Sequence, residues 1–380
     1  MSAPLTSTDI LKRAHAIGTY YGFSPLSVLA EKQKGKGKRA PYPDALPLDS
    51  LDAHAKDVAS FLKSVRDTAL APSKDNPLFV WHTNIAPGRV APKSVTVQFH
   101  VLGVDQAIAD AVLIRAVRSF VHDLTKKEVN VSINSMGDKE TRGRFLRELT
   151  TYFKRHASEL PEECVSCARQ NVFEAAEMMI AKDALCHLPS STDHLSESSR
   201  KHFEHLLEYL EATETPYELA PNILSKGNAW TETCFTIRTE SPLTVWGSRY
   251  SDLTKYFFGD TLSSIGAVVR IDLNDKRTAV PVKRKTNPRF VFVHIGEEAK
   301  RECMKVADDL RHAHVPLTQA IGLESLTAQM KYAESVDPPY LLIMGRKEAL
   351  ERSVILRERA SHTETTIPLD DLIGQLKAIV

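Results

Sequence analysis

Side chains that could do chemistry are sparse and scattered in this sequence. His100 sits in TVQFHVLGV, a run of strand formers. An imidazole there is a core or pocket residue, or a catalytic base. No carboxylate partner for it can be named, which favours the first reading. Cys164 and Cys167 form a CxxC, with Cys186 and His187 farther on. Cys164, Cys167 and Cys186 could serve a zinc site. Adjacent Cys186 and His187 fit one tetrahedron poorly, and free buried thiols are the ordinary alternative. Residues 31–39, EKQKGKGKR, read as a solvated flexible loop, with a phosphate-contacting loop as the sharper alternative. Trp81, Trp230 and Trp246 read as core or pocket-lining residues. No P-loop, dinucleotide fingerprint or HExxH motif occurs.

These residues must be positioned by a chain of 380 residues, 42% hydrophobic and 26% charged. Such a composition predicts a globular protein of at least two domains. No apolar run approaches the roughly 18 residues of a membrane span. The start, MSAPLTSTDI, has neither the basic nor the apolar part of a signal peptide. Five cysteines do not make a disulfide framework, so a cytoplasmic setting is expected. A net charge of +1 means that any nucleic-acid site is a local patch.

Periodicity places a helix over 9–21, ended by Gly22, and another over 52–66. Strands are predicted at 78–84 and 94–103, a helix at 106–124 and a strand at 129–133. From 138 to 212 the pattern is helical, with Phe203, Leu206, Leu207 and Leu210 on one face. Strands return in TCFTIR and LTVWGSR. KRKTNP, 283–288, reads as a linker. Beyond it FVFVHI, 316–320, YLLIMG and SVILRE read as strands, alternating with helices at 297–313, 324–335 and 368–379, so a small α/β domain is expected there.

INSMGDKETRGRFLREL (133–149) resembles the opening of the insertion domain of bacterial histidyl-tRNA synthetases. HLSESSRKHFEHLLEYLEATETPYEL (194–219) resembles its end. GLESLTAQMKYAES, PYLLIMG and TTIPLDDLIGQL are similar to that family's C-terminal anticodon-binding domain. YGF (21–23) and VQFHVLGVDQAIADAVLI (97–114) match more weakly its dimer-forming first motif and the end of its second. The resemblance implies an α+β class II core built on an antiparallel sheet with helices, a helical insertion, a C-terminal α/β anticodon-binding domain and a homodimer. The implied divisions are 1–134 and 213–285 for the core, 135–212 for the insertion and 288–380 for the last domain.

Amino-acid activation brings a carboxylate to the α-phosphate of ATP, so it needs positive charge, usually arginine with Mg2+. The family supplies arginines in three places, and this sequence departs from all three. The strand of the second motif reads PLFVWHTNIAPG, without arginine or acid; Arg89 and Lys93 stand only in the loop that follows. SKGNAWTETCF (225–235) has Lys226 where the family's arginine binds beside the histidine pocket, then Gly227 and Trp230. Lysine is a point charge and lacks the planar fork. WGSRYSDL keeps Gly247, Arg249 and Tyr250, but the terminal arginine falls at Leu273.

The resemblance therefore implies a ligand pocket drawn from Arg89, His100, Lys226, Gly227, Trp230, Gly247, Arg249 and Tyr250, with its catalytic function impaired. A tRNA-binding or regulatory module is the leading reading. A functional histidine–tRNA ligase using ATP and Mg2+ is one alternative, and a protein-interaction subunit without RNA is another. Residues 288–380 hold 12 Lys/Arg against 14 Asp/Glu. RNA contact would thus depend on local groups: Gln329, Lys331, Arg346, Lys347, Arg357 and Arg359.

Overall fold

The computed structural model describes residues 6–33, 51–87, 93–182, 188–224, 230–239, 243–273 and 288–379. The chain opens with α1 (Ser7–Tyr20). Thr6 caps it, accepting from the Asp9 amide while the Asp9 carboxylate accepts from the Thr6 amide. Gly22 then turns the chain at φ +81°. Strand β1 (Ser24–Pro25) and α2 (Leu26–Gln33) follow, then α3 (Ala53–Asp67). Next come β2 (Leu78–Ala86), β3 (Ser94–Leu102), α4 (Ile108–Thr125) and β4 (Val131–Ser135).

A helical stretch interrupts the sheet: α5 (Lys139–Arg155), α6 (Glu162–Ala168), α7 (Val172–Ala181) and α8 (Glu197–Ala212). The first three close a small core of their own around Phe145, Leu149, Phe173 and Met179. By contrast α8 turns Phe203, Leu206 and Leu210 into the main core. The chain then returns through β5 (Tyr217–Leu219), β6 (Thr231–Ile237), β7 (Leu243–Arg249), α9 (Ser251–Phe258) and β8 (Ser264–Asp272).

These strands form one sheet in the order β1-β2-β3-β8-β7-β6-β4-β5. Only the outer pairs, β1 with β2 and β4 with β5, are parallel. Alternation gives the sheet two faces. One presents Val95, Val97, Phe99, Ile265, Ala267 and Val269 to a core shared with α1 and α4. The other, with Val80 and Leu102, is covered by α3 and α9.

A second sheet holds β9 (Phe290–His294), β10 (Leu317–Gln319), β11 (Tyr340–Met344), β12 (Ser353–Glu358) and β13 (Glu364–Pro368), in the order β10-β9-β11-β12-β13. The first three neighbours run parallel and the last two antiparallel. Helices α10 (Glu297–His312), α11 (Leu326–Val336), α12 (Arg346–Leu350) and α13 (Leu369–Ile379) complete this α/β unit. It docks on the back of the large sheet. The Tyr20 hydroxyl donates to the Ala307 carbonyl, and Arg115 of α4 reaches Asp308 and the Met304 carbonyl of α10. An antiparallel-dominated sheet with a C-terminal α/β domain is the expected fold class. No helix among the described residues is long and apolar enough to cross a membrane.

Candidate functional site

The face of the large sheet under α3 brings together most of the described pocket candidates. His100, Gly266 and Ser248 stand in one row across β3, β8 and β7. His100 is fully buried. Its Nε2 lies 3.0 Å from Gln98 Oε1 and its Nδ1 2.8 Å from the Tyr250 hydroxyl. An amide oxygen only accepts, so Nε2 carries the proton and the tyrosine donates to Nδ1. Burial, with a smaller contribution from His82, drives the imidazole pKa well below its ordinary value. Burial likewise drives the Tyr250 hydroxyl well above its own. Both groups stay neutral and engaged. Gly266 makes the contact possible, because a Cβ there would come 2.0 Å from His100 Nδ1.

Helix α3 lays its side chains on this face. Phe61 stacks on His100 with ring centroids 3.6 Å apart and planes 6° from parallel. His54 stacks on Trp246 at 4.8 Å, and Trp246 meets Trp230 edge-on at 4.2 Å. Asp52 fixes the start of the helix. One carboxylate oxygen accepts from the Ala55 amide at 2.7 Å, the other from the Trp230 indole at 2.8 Å. Asp57 of α3 pairs with Arg270 of β8. Trp230 is 1% exposed and Tyr250 is fully buried, while His54 and Trp246 are half-buried at the edge of the layer.

Arg249 ends β7 and is 2% exposed. Nε donates to Asp110 Oδ1 at 2.8 Å and lies 3.1 Å from Oδ2; Nη2 is 2.8 Å from Asp110 Oδ1. Nη1 donates to the Val104 carbonyl and the Ser263 hydroxyl, and Nη2 also donates to the Gln106 carbonyl. The guanidinium has five N–H donors, and the protein takes them all. Asp110 also accepts from His202 at 2.6 Å and Thr233 at 2.8 Å. Burial pushes the Asp110 carboxyl upward, but Arg249 and His202 outweigh it and hold it below its ordinary value.

Gly247 has a packing role, since a Cβ there would come 2.3 Å from the Phe235 ring. Arg89, Lys226, Gly227 and Cys186 lie outside the described residues, as do most of 31–39 and of the 283–288 linker. Leu273 follows β8, and its amide donates to the Lys93 carbonyl. Cys164 is buried in α6 and Cys167 is half-buried. Among the described residues no group of His, Cys, Asp and Glu is placed to hold a metal ion.

The described part of this face offers a triphosphate little positive charge. Arg270 is paired with Asp57 and the surface beside it is aromatic and covered, while Arg249 lies on the opposite face, wholly engaged with Asp110 of α4 and its neighbours. A phosphate brought there would meet no free fork.

The RNA candidates fall into three groups. Gln329 is fully buried and clamps the backbone of His294: its Oε1 accepts from that amide at 2.8 Å and its Nε2 donates to that carbonyl at 3.1 Å. Lys331 is exposed on α11, and Arg346 and Lys347 are exposed on α12 beyond the C-terminal end of β11. Arg357 and Arg359 lie at the opposite end of β11, where Arg359 donates to Asp337 at 2.6 Å. The candidate cations are therefore split, with Arg346 and Lys347 exposed at one end of β11 and Arg357 and Arg359 half-buried at the other.

Sequence reasoning missed Asp110, Phe61, Asp52 and His202. Asp110 had a signal: it is the one acid in IADAVLI, on a helix otherwise buried at Ile108, Ala109 and Ala111. A lone carboxylate there requires a buried cation.

Residues 280–379 match the anticodon binding domain family. The histidine–tRNA ligase of Dehalococcoides mccartyi is 26% identical over 289 residues, covering 73% of this chain and 69% of the relative. That of Fervidobacterium nodosum is 28% identical over 272 residues, covering 68% and 64%. Among solved structures, the apo histidyl-tRNA synthetase of S. aureus aligns over 97% of this chain and 94% of its own, at 20% identity and a TM-score of 0.49.

Proposed function

Because the chain is a histidyl-tRNA synthetase-family protein, we propose that it is a catalytically impaired member of that family that serves as a tRNA- or RNA-binding or regulatory module. The observation that carries this reading is Arg249. Adenylate formation needs cationic donors aimed at the developing charge on phosphorus, each contributing on the order of 3 kcal/mol. Arg249 gives every donor to Asp110, Ser263 and backbone carbonyls. Releasing it would leave Asp110 buried without its cation.

The RNA part of the proposal draws support from the anticodon-binding match and from the exposed Lys331, Arg346 and Lys347. A homodimer, a cytoplasmic setting and the division at 134/135, 212/213 and 285/288 belong to the same proposal. An active ligase using ATP and Mg2+ is the second reading, favoured by 26% identity along 73% of the chain to a histidine–tRNA ligase.

Histidine-dependent ATP–pyrophosphate exchange separates the two readings. The proposal expects no exchange above the histidine-free control. A salt-dependent titration with tRNA then tests the RNA part: binding should weaken steeply with salt, and no binding at low salt contradicts it.

A further inference from the structure

The helical stretch between β4 and β6 enters and leaves the large sheet at one place. It enters through residues 135–138, where Gly137 turns at φ +61°. It leaves through residues 190–199, at the start of α8. The two crossings are tied to each other. The Asp138 carboxylate accepts from the Ser196 hydroxyl at 2.7 Å, and the Asp138 amide donates to the Ser199 hydroxyl at 3.0 Å. The Ser196 amide donates to Thr141 Oγ1 at 2.9 Å, and the Ser191 hydroxyl to the Ser135 carbonyl at 2.7 Å.

One residue of the sheet holds both crossings. Glu232 sits in β6 where the register shifts between Thr231 and Cys234, at a left-handed φ of +50° that few residues other than glycine keep. Its amide donates to the Gly137 carbonyl and its carbonyl accepts from the Met136 amide, both at 2.8 Å. Its Oε1 accepts from the Ser199 hydroxyl at 2.9 Å. Its Oε2 is buried and has no hydrogen-bond partner among the described residues. The charged groups facing it are Asp138 at the cap of α5, His202 on α8 and Arg249 on β7. Asp138 opposes a second negative charge. His202 and Arg249 favour one, but both already serve Asp110. Burial outweighs them and raises the Glu232 carboxyl above its ordinary value. A strained backbone thus presents a carboxyl group whose charged form is poorly met, a combination that suits a switch better than a scaffold.

From these contacts we infer that Glu232 is a proton-operated latch on the helical insertion: protonated, it keeps α5–α7 seated on β6; ionised, it draws water to its unmet oxygen, both crossings loosen, and the insertion lifts from the sheet. The surface that lifting bares is defined. Cys234 of β6 is fully buried in the insertion's own core, with Phe145, Phe173 and Met179. Arg142 of α5 donates to the Trp230 carbonyl at 2.9 Å, so the insertion also holds the Trp230 end of the aromatic layer. The seated state favours the neutral carboxyl. Seating is therefore complete below the ordinary glutamate value and is lost as pH rises through the raised one. The inference does not depend on whether the chain activates histidine.

The test uses two buried cysteines of the full-length protein. Cys234 reports lifting of the insertion, and Cys303, buried in α10, reports global unfolding. The protein is pulsed with iodoacetamide between about pH 5.5 and 8, and alkylation of each cysteine is read by peptide mass spectrometry. Each rate is divided by that of the urea-unfolded chain at the same pH, which gives a protection factor free of the thiol's own titration. Cys234 protection should fall by about tenfold or more across this range, while Cys303 protection does not follow. Glu232→Gln cannot ionise, so its Cys234 protection should be flat with pH. Glu232→Gly, which suits the φ of +50°, should be flat as well and serves if the glutamine variant does not fold. Cys234 protection independent of pH in wild type overturns the inference. So does an undiminished fall in either folded variant, or a fall of Cys303 in step with Cys234.

Discussion

Phe61 lies face to face on His100, 3.6 Å between ring centroids. One residue belongs to the helix over the sheet, the other to the sheet itself, so the contact closes the face on which a ligand would sit. Truncating a fully buried phenylalanine in such a layer costs roughly 3–5 kcal/mol. Phe61→Ala should lose that much in a denaturant titration. A loss below about 1 kcal/mol would mean that α3 is only loosely seated.

Arg249 and Asp110 form the second lock. Breaking one side of a buried pair leaves the other charge stranded, typically at about 3–5 kcal/mol. Arg249→Lys should fall near that range, because one ammonium cannot replace five donors directed at four partners. Equilibrium unfolding checks it. A variant as stable as wild type would show that the guanidinium is free for other work.

Two buried histidines set the acid limit of the fold. Burial lowers His294 to about 4 and drives His100 well below 6.5. A depressed folded pKa means that the unfolded chain takes the proton first. The stability is therefore complete above about pH 6.5 and drains away as pH falls toward the folded values. For His294 the loss across that window is on the order of 3 kcal/mol. The unfolding midpoint should fall steadily between about pH 6.5 and 4, and a flat profile would count against both burials.

Much of the fold was legible because its elements carry strong local signals. The helix at 52–66 appears as Ala53–Asp67, capped by Asp52, and the strand run 94–103 appears as Ser94–Leu102. What the 52–66 pattern could not tell is what the helix covers. Its apolar face reads the same whether it packs on a core or on a ligand face, and only the tertiary stack of Phe61 on His100 decides that. Arg249 was equally opaque, since its partner Asp110 lies 139 residues away. Gln329 was misleading for a similar reason: on a polar helix it looks exposed, yet it is the buried clamp on His294.

That clamp separates folding from RNA contact in the C-terminal domain. Gln329→Leu strips a buried amide and a carbonyl of partners and should cost about 1–3 kcal/mol. Reversing charge at Lys331, Arg346 and Lys347 should leave stability near wild type, weaken tRNA binding and flatten its salt dependence by about one unit of slope per lost phosphate contact. Filter binding across a salt series reads both. Unaltered binding in the triple charge reversal would remove this surface from the RNA proposal.

The covered sheet face and the fully engaged Arg249 bear on one reaction, so the most direct measurement is histidine-dependent exchange of pyrophosphate into ATP by the purified, folded chain. The account predicts exchange no faster than without histidine, beside an active histidine–tRNA ligase run in parallel. Robust histidine-dependent exchange would contradict it, and would mean that α3 and Arg249 give way to substrate.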